Sequence, residues 1–282
     1  MAHVEINGAR LWYEVTPPDS ADAAPLLLHH GYTASRVNWQ PVAERLQSRY
    51  RIIMLECRGT GASEHTEHGY SLEQVTQDVV GLLDHLGLER VTYAGHSMGG
   101  GVGYLLGLDY PERLEKLILM APIPSGGTGE ITPQLREERM AERRSGDREA
   151  ILARYRAMRF REDVETDAWF EIRADHILAV SDGHFEGFAE AMQDFDVVDQ
   201  LAGLTTPTLM IAGGVDSLLH ANLADFAALP NATIEVIARA GHEVAVHEPD
   251  RVASVIDAFM RYGVINAEML QAASDSNQQQ AK

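Results

Sequence analysis

Three residues, in one order along the chain, have the types and settings needed for nucleophilic catalysis. Ser97 stands in GHSMGG (95–100), between the apolar run VTYA and the helix-like VGYLLGL. Asp216 follows the apolar run PTLMIAGG, and His242 follows TIEVIARA. A serine hydroxyl is a poor nucleophile at neutral pH; it needs a base, and the base needs an orienting carboxylate. Gly95-His96-Ser97-Met98-Gly99 fits G-x-S-x-G, the pattern of a serine lifted on a sharp strand-to-helix turn, where flanking side chains would collide with neighbouring backbone. Taken singly, Asp216 reads as a turn residue or helix cap and His242 as a surface histidine. In the order Ser, Asp, His, each at the C-terminal end of a strand, they read as nucleophile, orienting acid and base.

Attack on a carbonyl also needs two N–H donors aimed at the developing oxyanion. The Met98 amide, at the start of the helix behind the serine, is one candidate, and that helix points the positive end of its dipole at the same place. The second is the Tyr32 amide, in the loop His29-His30-Gly31-Tyr32 after the strand PLLLHH. Gly31 lets the backbone approach the substrate, so His30 and Gly31 border it. The His30 ring is expected to be a hydrogen-bonded part of the scaffold, because the donor here is backbone.

The elements that must hold these groups follow from periodicity. His3 to Ile6 and Arg10 to Val15 flank Asn7-Gly8, a two-residue hairpin signal. Near-continuous apolar runs at 25–30, 51–56, 91–96, 114–122, 207–214 and 233–240 alternate with helix-like stretches, of which 71–87 is the clearest. Such alternation predicts an α/β protein with a mostly parallel central sheet and helices on both faces. It stops between 124 and 195, where REERMAERRSGDREAILARYRAMRF and FEGFAEAMQDFD are helical in character. This segment is expected to be a helical cap over Ser97, hinged at Ser125-Gly126-Gly127 and near Asp196. The core is then 1–123 and 196–266, and the polar stretch 267–282 a flexible tail.

A formal charge of −19 argues against nucleic acid and anionic membrane as partners. The one cysteine permits no disulfide within the chain, and no CxxC, HExxH or phosphate-binding loop is present. The histidines are dispersed, so no metal and no cofactor are inferred. The start shows no secretory signal pattern and no run is long enough to span a bilayer, so a cytoplasmic monomer or homodimer acting on a small molecule is expected.

Together, LLLHHGYTAS, ECRGTGASE, GHSMGGGVGYLLGLDYPERLEKLILMAP, PTLMIAGGVDSLL and ARAGHEVAVHEPDRVASVIDAFM resemble the α/β-hydrolase superfamily, specifically its capped single-domain members, over roughly residues 3–265. The resemblance implies Ser97 as nucleophile, His242 as base and Asp216 as acid. In two places the chain departs from the family pattern. Glu56 opens the loop after the RIIMLE strand, where relatives usually carry Asp, and His247 stands where relatives often carry Glu. Glu56 keeps the charge; His247 is expected to face solvent from a helix. Relatives that open epoxides or cleave carbon–halogen bonds use Asp at the elbow, so Ser97 points to a carboxylic-ester or lactone hydrolase. The alternatives within the superfamily are a carbon–carbon bond hydrolase of ring-cleavage products and a slow-turnover ligand receptor; His96, where the former often carry Asn, favours the ester reading. In the cap, the arginines from Arg136 to Arg161 mostly alternate with acids and read as a solvated, salt-bridged face; a sharper reading turns Arg159 inward to a substrate carboxylate. Phe160, Trp169 and Phe188 are the aromatic candidates for substrate contact, among cap residues that mostly form its own core.

Overall fold

A computed structural model describes residues 1–20, 22–129 and 132–267. Eight strands form one sheet: β1 (Ala2–Ile6), β2 (Ala9–Thr16), β3 (Pro25–His29), β4 (Arg51–Glu56), β5 (Val91–His96), β6 (Leu114–Met120), β7 (Thr208–Gly213) and β8 (Ala232–Ile237). Their order is β1-β2-β4-β3-β5-β6-β7-β8. β1 and β2 pair antiparallel through a turn in which Asn7 and Gly8 both have positive φ, the backbone that matches strand twist in a two-residue hairpin. β2 pairs antiparallel with β4, and every later pairing is parallel.

The parallel strands are apolar on both faces because helices cover both. Leu27, Tyr93, Leu117 and Leu119 face α2 (Leu72–His85) and α3 (Met98–Asp109). Leu26, Leu28, Ala94, Ile118 and Met120 face α1 (Gln40–Leu46) and the C-terminal helix Pro249–Tyr262. Successive residues thus go to opposite layers, the period-2 rule of a strand. Each fully buried leucine contributes roughly 2 kcal/mol of transfer free energy, so the sheet is fixed before any polar group is considered.

Between β6 and β7 lie four helices: α4 (Pro133–Ser145), α5 (Arg148–Met158), α6 (Asp167–Ala179) and α7 (Asp182–Gln193). They keep a small core of their own, Ile151, Leu152, Phe170, Ala174 and Ile177. The leading segment is pinned, not loose: the Ser125 amide and hydroxyl both donate to Asp225, at 2.9 and 2.6 Å. The chain returns through α8 (Leu219–Ala228), the short α9 (Val244–His247) and α10 (Pro249–Tyr262). The tail expected from 267 lies, from 268 on, outside the described residues. No helix among the described residues is long and apolar enough to cross a membrane.

The order of strands places the site. From β3 the chain moves to β4 on one side, whereas from β5 it moves to β6 on the other. The loops after β3 and β5 therefore diverge and leave a crevice at their carboxyl ends, where open parallel sheets hold their ligands. His29 is paired with Gly95, so the Gly31-Tyr32 loop and Ser97 share that crevice.

Candidate active site

Ser97 joins β5 to α3 with φ 55° and ψ −114°. A non-glycine residue held there costs on the order of 1–3 kcal/mol, which the surrounding packing must offset. The packing leaves no alternative: a Cβ on Gly95 would stand 2.0 Å from the Gly99 carbonyl oxygen, and one on Gly99 2.8 Å from the carbonyl oxygens of His29 and His30. The turn therefore forces the serine outward on the crevice side.

The structure brings Ser97, His242 and Asp216 together. His242 Nε2 lies 2.9 Å from Ser97 Oγ, and His242 Nδ1 lies 2.9 Å from Asp216 Oδ2. The other Asp216 oxygen accepts the Leu218 amide at 3.1 Å. An acceptor at Nδ1 fixes the proton there and leaves the Nε2 lone pair facing the serine hydroxyl. Burial works against the Asp216 carboxylate, yet the hydrogen bond and charge of His242 outweigh it and hold the carboxyl below its ordinary value. For His242, burial lowers the pKa, and the Asp216 hydrogen bond and charge more than reverse this, so the net direction is upward. The Asp216 side chain is 2% exposed, whereas that of His242 is 39% exposed, leaving one edge of the imidazole open. Asp199 lies exposed in the 3-10 turn Val198–Gly203, and Glu56 is engaged elsewhere, so Asp216 is the carboxylate on the histidine.

Tyr32 and Met98 flank this group. A Cβ on Gly31 would stand 2.9 Å from Ser97 Cβ, which shows how near the loop runs. The neighbouring amides are committed: Ser97 to Met120 O, Ala34 to Gly31 O and Thr33 to His184 Nε2. The Tyr32 and Met98 amides have no backbone partner among the described residues.

Several polar side chains hold the histidine loop. His96 Nε2 donates to the His242 carbonyl at 2.8 Å. Burial, then the nearby His242, lowers the His96 pKa to about 4, so the ring is neutral. Glu243 accepts from Asn38 at 2.7 Å and pairs with Arg173 of α6 at 3.6 Å. Burial opposes its charge, but Arg173, His96, His242 and Asn38 bring it to about 2. Arg173 also donates to the Thr33 carbonyl at 2.9 Å, so one cap guanidinium grips both the Tyr32 loop and the histidine loop. Nearby, the Ser35 hydroxyl lies 3.0 Å from His176 Nε2. The sequence reading missed Arg173, Glu243 and Asn38; the acid immediately after His242 was the available signal.

Other expectations are corrected. His247 does not face solvent. It is buried; its Nδ1 accepts the Gly241 amide at 3.0 Å and its Nε2 donates to Glu165 at 3.2 Å. The α6–α7 side of the cap is why Phe188 is core: it is fully buried against Tyr70 and His184 and cannot line a site. Trp169 packs on the cap's own core. Phe160 is 47% exposed, with its ring edge at Gly241 and its centroid 5.0 Å from that of His247, so of the three it stands nearest the histidine loop. Arg159 does not turn inward, because Asp167 takes its guanidinium, which lies over the Phe170 ring. The His30 ring is buried, with Nδ1 donating to Gly31 O at 2.8 Å and Nε2 accepting the Cys57 amide at 3.2 Å; it shapes the Gly31 loop from behind. Glu56 is fully buried, accepting Arg36 at 2.6 Å and the Ala62 amide at 2.8 Å, which ties down the loop after β4.

The histidines are not all dispersed: His29, His30 and Cys57 converge, with potential ligand atoms within 4.8 Å of one another. Burial pushes the Cys57 thiol up to about 12, against the thiolate a metal would need. The His29 Nδ1 meets the Tyr93 hydroxyl at 2.6 Å, and His30 Nε2 is already an acceptor. Packing and these hydrogen bonds hold the cluster, with His29 Nε2 left buried and without a hydrogen-bond partner among the described residues.

The geometry can perform acyl transfer: a hydroxyl on an imidazole oriented by a carboxylate, beside two amides with no backbone partner among the described residues. Known proteins share the frame. The chain is 29% identical over 249 residues to 3-oxoadipate enol-lactonase 2 of Acinetobacter baylyi, spanning 86% of this chain and 90% of that one. It is 30% identical over 244 residues to a 2-hydroxy-6-oxononadienedioate/2-hydroxy-6-oxononatrienedioate hydrolase of Cupriavidus pinatubonensis, spanning 79% and 81%. A thermophilic esterase from Thermogutta terrifontis, solved with malate bound, superposes with a TM-score of 0.76 at 26% identity, over 93% of this chain and 98% of that one. The family model described as alpha/beta hydrolase fold matches residues 24–249, the greater part of the sheet and the whole of the site, and the chain belongs to that family.

Proposed function

We propose that the protein is a serine hydrolase that cleaves carboxylic esters or lactones of small molecules through an acyl-enzyme. The observation that carries this reading is the pair of 2.9 Å contacts made by the two His242 nitrogens, one to Ser97 Oγ and one to Asp216 Oδ2. In the reaction, Ser97 Oγ attacks the ester carbonyl while His242 Nε2 takes its proton. The tetrahedral oxyanion sits on the Tyr32 and Met98 amides. Collapse breaks the bond to the leaving alkoxide, which receives the proton from His242. Water, deprotonated by the same nitrogen, then attacks the acyl group and releases the acid and Ser97. Asp216 stays ionised and stabilises the imidazolium. No cofactor enters this cycle, and the protein is proposed to act in the cytoplasm as a monomer or homodimer.

A carbon–carbon bond hydrolase is the second reading, favoured by the kinship to the Cupriavidus enzyme, whose frame matches at similar identity. The two separate in one assay. Ser97→Ala is expected to keep the fold, lose labelling by a fluorophosphonate and lose turnover of p-nitrophenyl esters by a factor on the order of a million. Wild-type turnover of a ring-cleavage dienone in place of esters would move the assignment to the second reading. An Ala variant that still labels would remove Ser97 from the chemistry.

A further inference from the structure

The loop that carries the Tyr32 amide is strained, and side chains of the cap hold it. Ala34 donates its amide to Gly31 O at 3.3 Å, closing a four-residue turn with Tyr32 and Thr33 in the middle. Thr33, third in that turn, has φ 49°. A turn with positive φ at the third place ordinarily takes glycine, and a β-branched residue there is a genuine outlier. Among the described non-glycine residues with positive φ, Thr33 alone is β-branched. Such a conformation persists only where the surroundings over-determine it.

Both polar groups of the Thr33 backbone go to the cap. Its amide donates to His184 Nε2 at 3.3 Å, and its carbonyl accepts Arg173 of α6 at 2.9 Å. His184 lies in the first turn of α7 and is fully buried. Its Nδ1 donates to Arg58 O at 3.2 Å, in the loop after β4, which leaves the Nε2 lone pair for Thr33. Burial lowers the His184 pKa to about 3, so the ring stays a neutral acceptor. The ring is boxed in. It stacks on Tyr32 at 5.6 Å between centroids, meets Phe188 edge-on at 4.7 Å, and its Cβ is so near the chain that one on Gly59 would stand 2.8 Å away. Tyr32 is tied to the same helix, since its hydroxyl donates to Phe185 O at 2.5 Å. We propose that the cap completes the oxyanion hole: His184 is a positioning residue that, with Arg173, holds Thr33 in its left-handed turn and so aims the Tyr32 amide beside Ser97. This rests on the serine-hydrolase reading for the role of that amide, not for the hold on the turn.

The test compares p-nitrophenyl butyrate with its thiono analogue, whose carbonyl sulfur is a weak acceptor for the oxyanion donors. His184→Leu is expected to lower kcat for the oxo ester about ten- to a hundredfold, within the loss that removal of one oxyanion donor brings. The thiono ester should lose much less, so the oxo-to-thiono ratio falls. His184→Gln, which keeps an acceptor at that reach, should retain most of the ratio. Thr33→Gly, which takes positive φ without strain, should restore most of it in the His184→Leu background. Equal losses on both esters, or no rescue by Thr33→Gly, overturn the proposal. Circular dichroism controls for folding, and His184→Phe serves the same comparison if the leucine variant does not fold. Independently of turnover, exchange of the Ala34 amide, followed by NMR, reports the turn itself. Exchange at least tenfold faster in His184→Leu, slowed again by Thr33→Gly, supports the hold on the turn even if wild type hydrolyses neither ester; absent fluorophosphonate labelling then refutes the hydrolase reading alone. Unchanged exchange in His184→Leu overturns the proposal.

Discussion

Asp216→Asn tests the core of the mechanism, because the structure fixes what the amide would do. Its Oδ1 can still accept the Leu218 amide, so the loop after β7 keeps its shape. Its NH₂ would face His242 Nδ1, which must then become the acceptor. The ring proton moves to Nε2, toward Ser97 Oγ, and the base is lost. The magnitude follows from the 2.9 Å contact. At an effective dielectric constant of about 20, an imidazolium and a carboxylate at that separation attract by about 6 kcal/mol. That is an upper limit on transition-state stabilisation and corresponds to a rate factor of roughly 10⁴, the size of the same change in a Ser-His-Asp protease. The pH dependence carries a sign as well. Activity needs neutral His242, so wild-type kcat/KM rises as pH passes the His242 pKa, which stands above its ordinary value. Asp216→Asn removes the two larger raising influences, the hydrogen bond and the charge of Asp216, and leaves burial, which lowers it, opposed by Glu243 alone. The acidic limb of the variant is therefore expected at lower pH, on a rate reduced by about 10⁴. Acid release from a neutral ester, followed by pH-stat with circular dichroism as a fold control, measures both. A variant within tenfold of wild type, or with its limb moved to higher pH, would refute the orientation argument.

Other substitutions probe the supports. In Arg173→Met the Glu243 charge, which raises the His242 pKa, loses the cation that opposes it; with Asp216 and His96 unchanged, the acidic limb should move to higher pH, whereas a merely structural loss would lower the rate without moving it. Arg58 and Asp78 form a two-pronged ion pair at 2.9 and 2.8 Å, 4% and 1% exposed. Arg58→Met leaves that carboxylate buried and unpaired, so a loss of about 3–5 kcal/mol is expected, read as a fall in Tm on the order of 10 °C by thermal denaturation; an unchanged Tm would mean that water or Asn7 and Gln74 satisfy Asp78 unaided.

Much of the frame was legible in the order of residues because its causes are local. Near-continuous apolar runs are what strands covered on both faces require, and strand bounds at 51–56 and 91–96 agree with the runs to the residue. Asn7-Gly8 specifies its own turn. The G-x-S-x-G spacing encodes a steric demand within five residues, so the position of Ser97 could be read before anything was folded. Ser, Asp and His after the carboxyl ends of β5, β7 and β8 needed only the rule that parallel strands end on one edge.

Whether a polar side chain is buried, and with whom it pairs, depends on elements far away in the chain, and there the tertiary structure decided. His247 sits on a short helix that alone looks solvent-facing; Glu165, 82 positions earlier, covers it. Phe188 reads as a candidate substrate contact until Tyr70 packs on it. The arginines of the cap look alike in sequence, and only the folding of α4 toward α7 gives Arg136 to Glu190 and Arg143 to Asp182. Arg173 and Glu243 are 70 positions apart and meet because the cap folds back on the loop after β8. The sequence by itself determined the sheet, the strained serine and the order of the three site residues, since these follow from backbone sterics and hydrophobic period. The three-dimensional fold alone determined which charges are spent on one another, since Coulomb and hydrogen-bond partners are chosen by proximity in space.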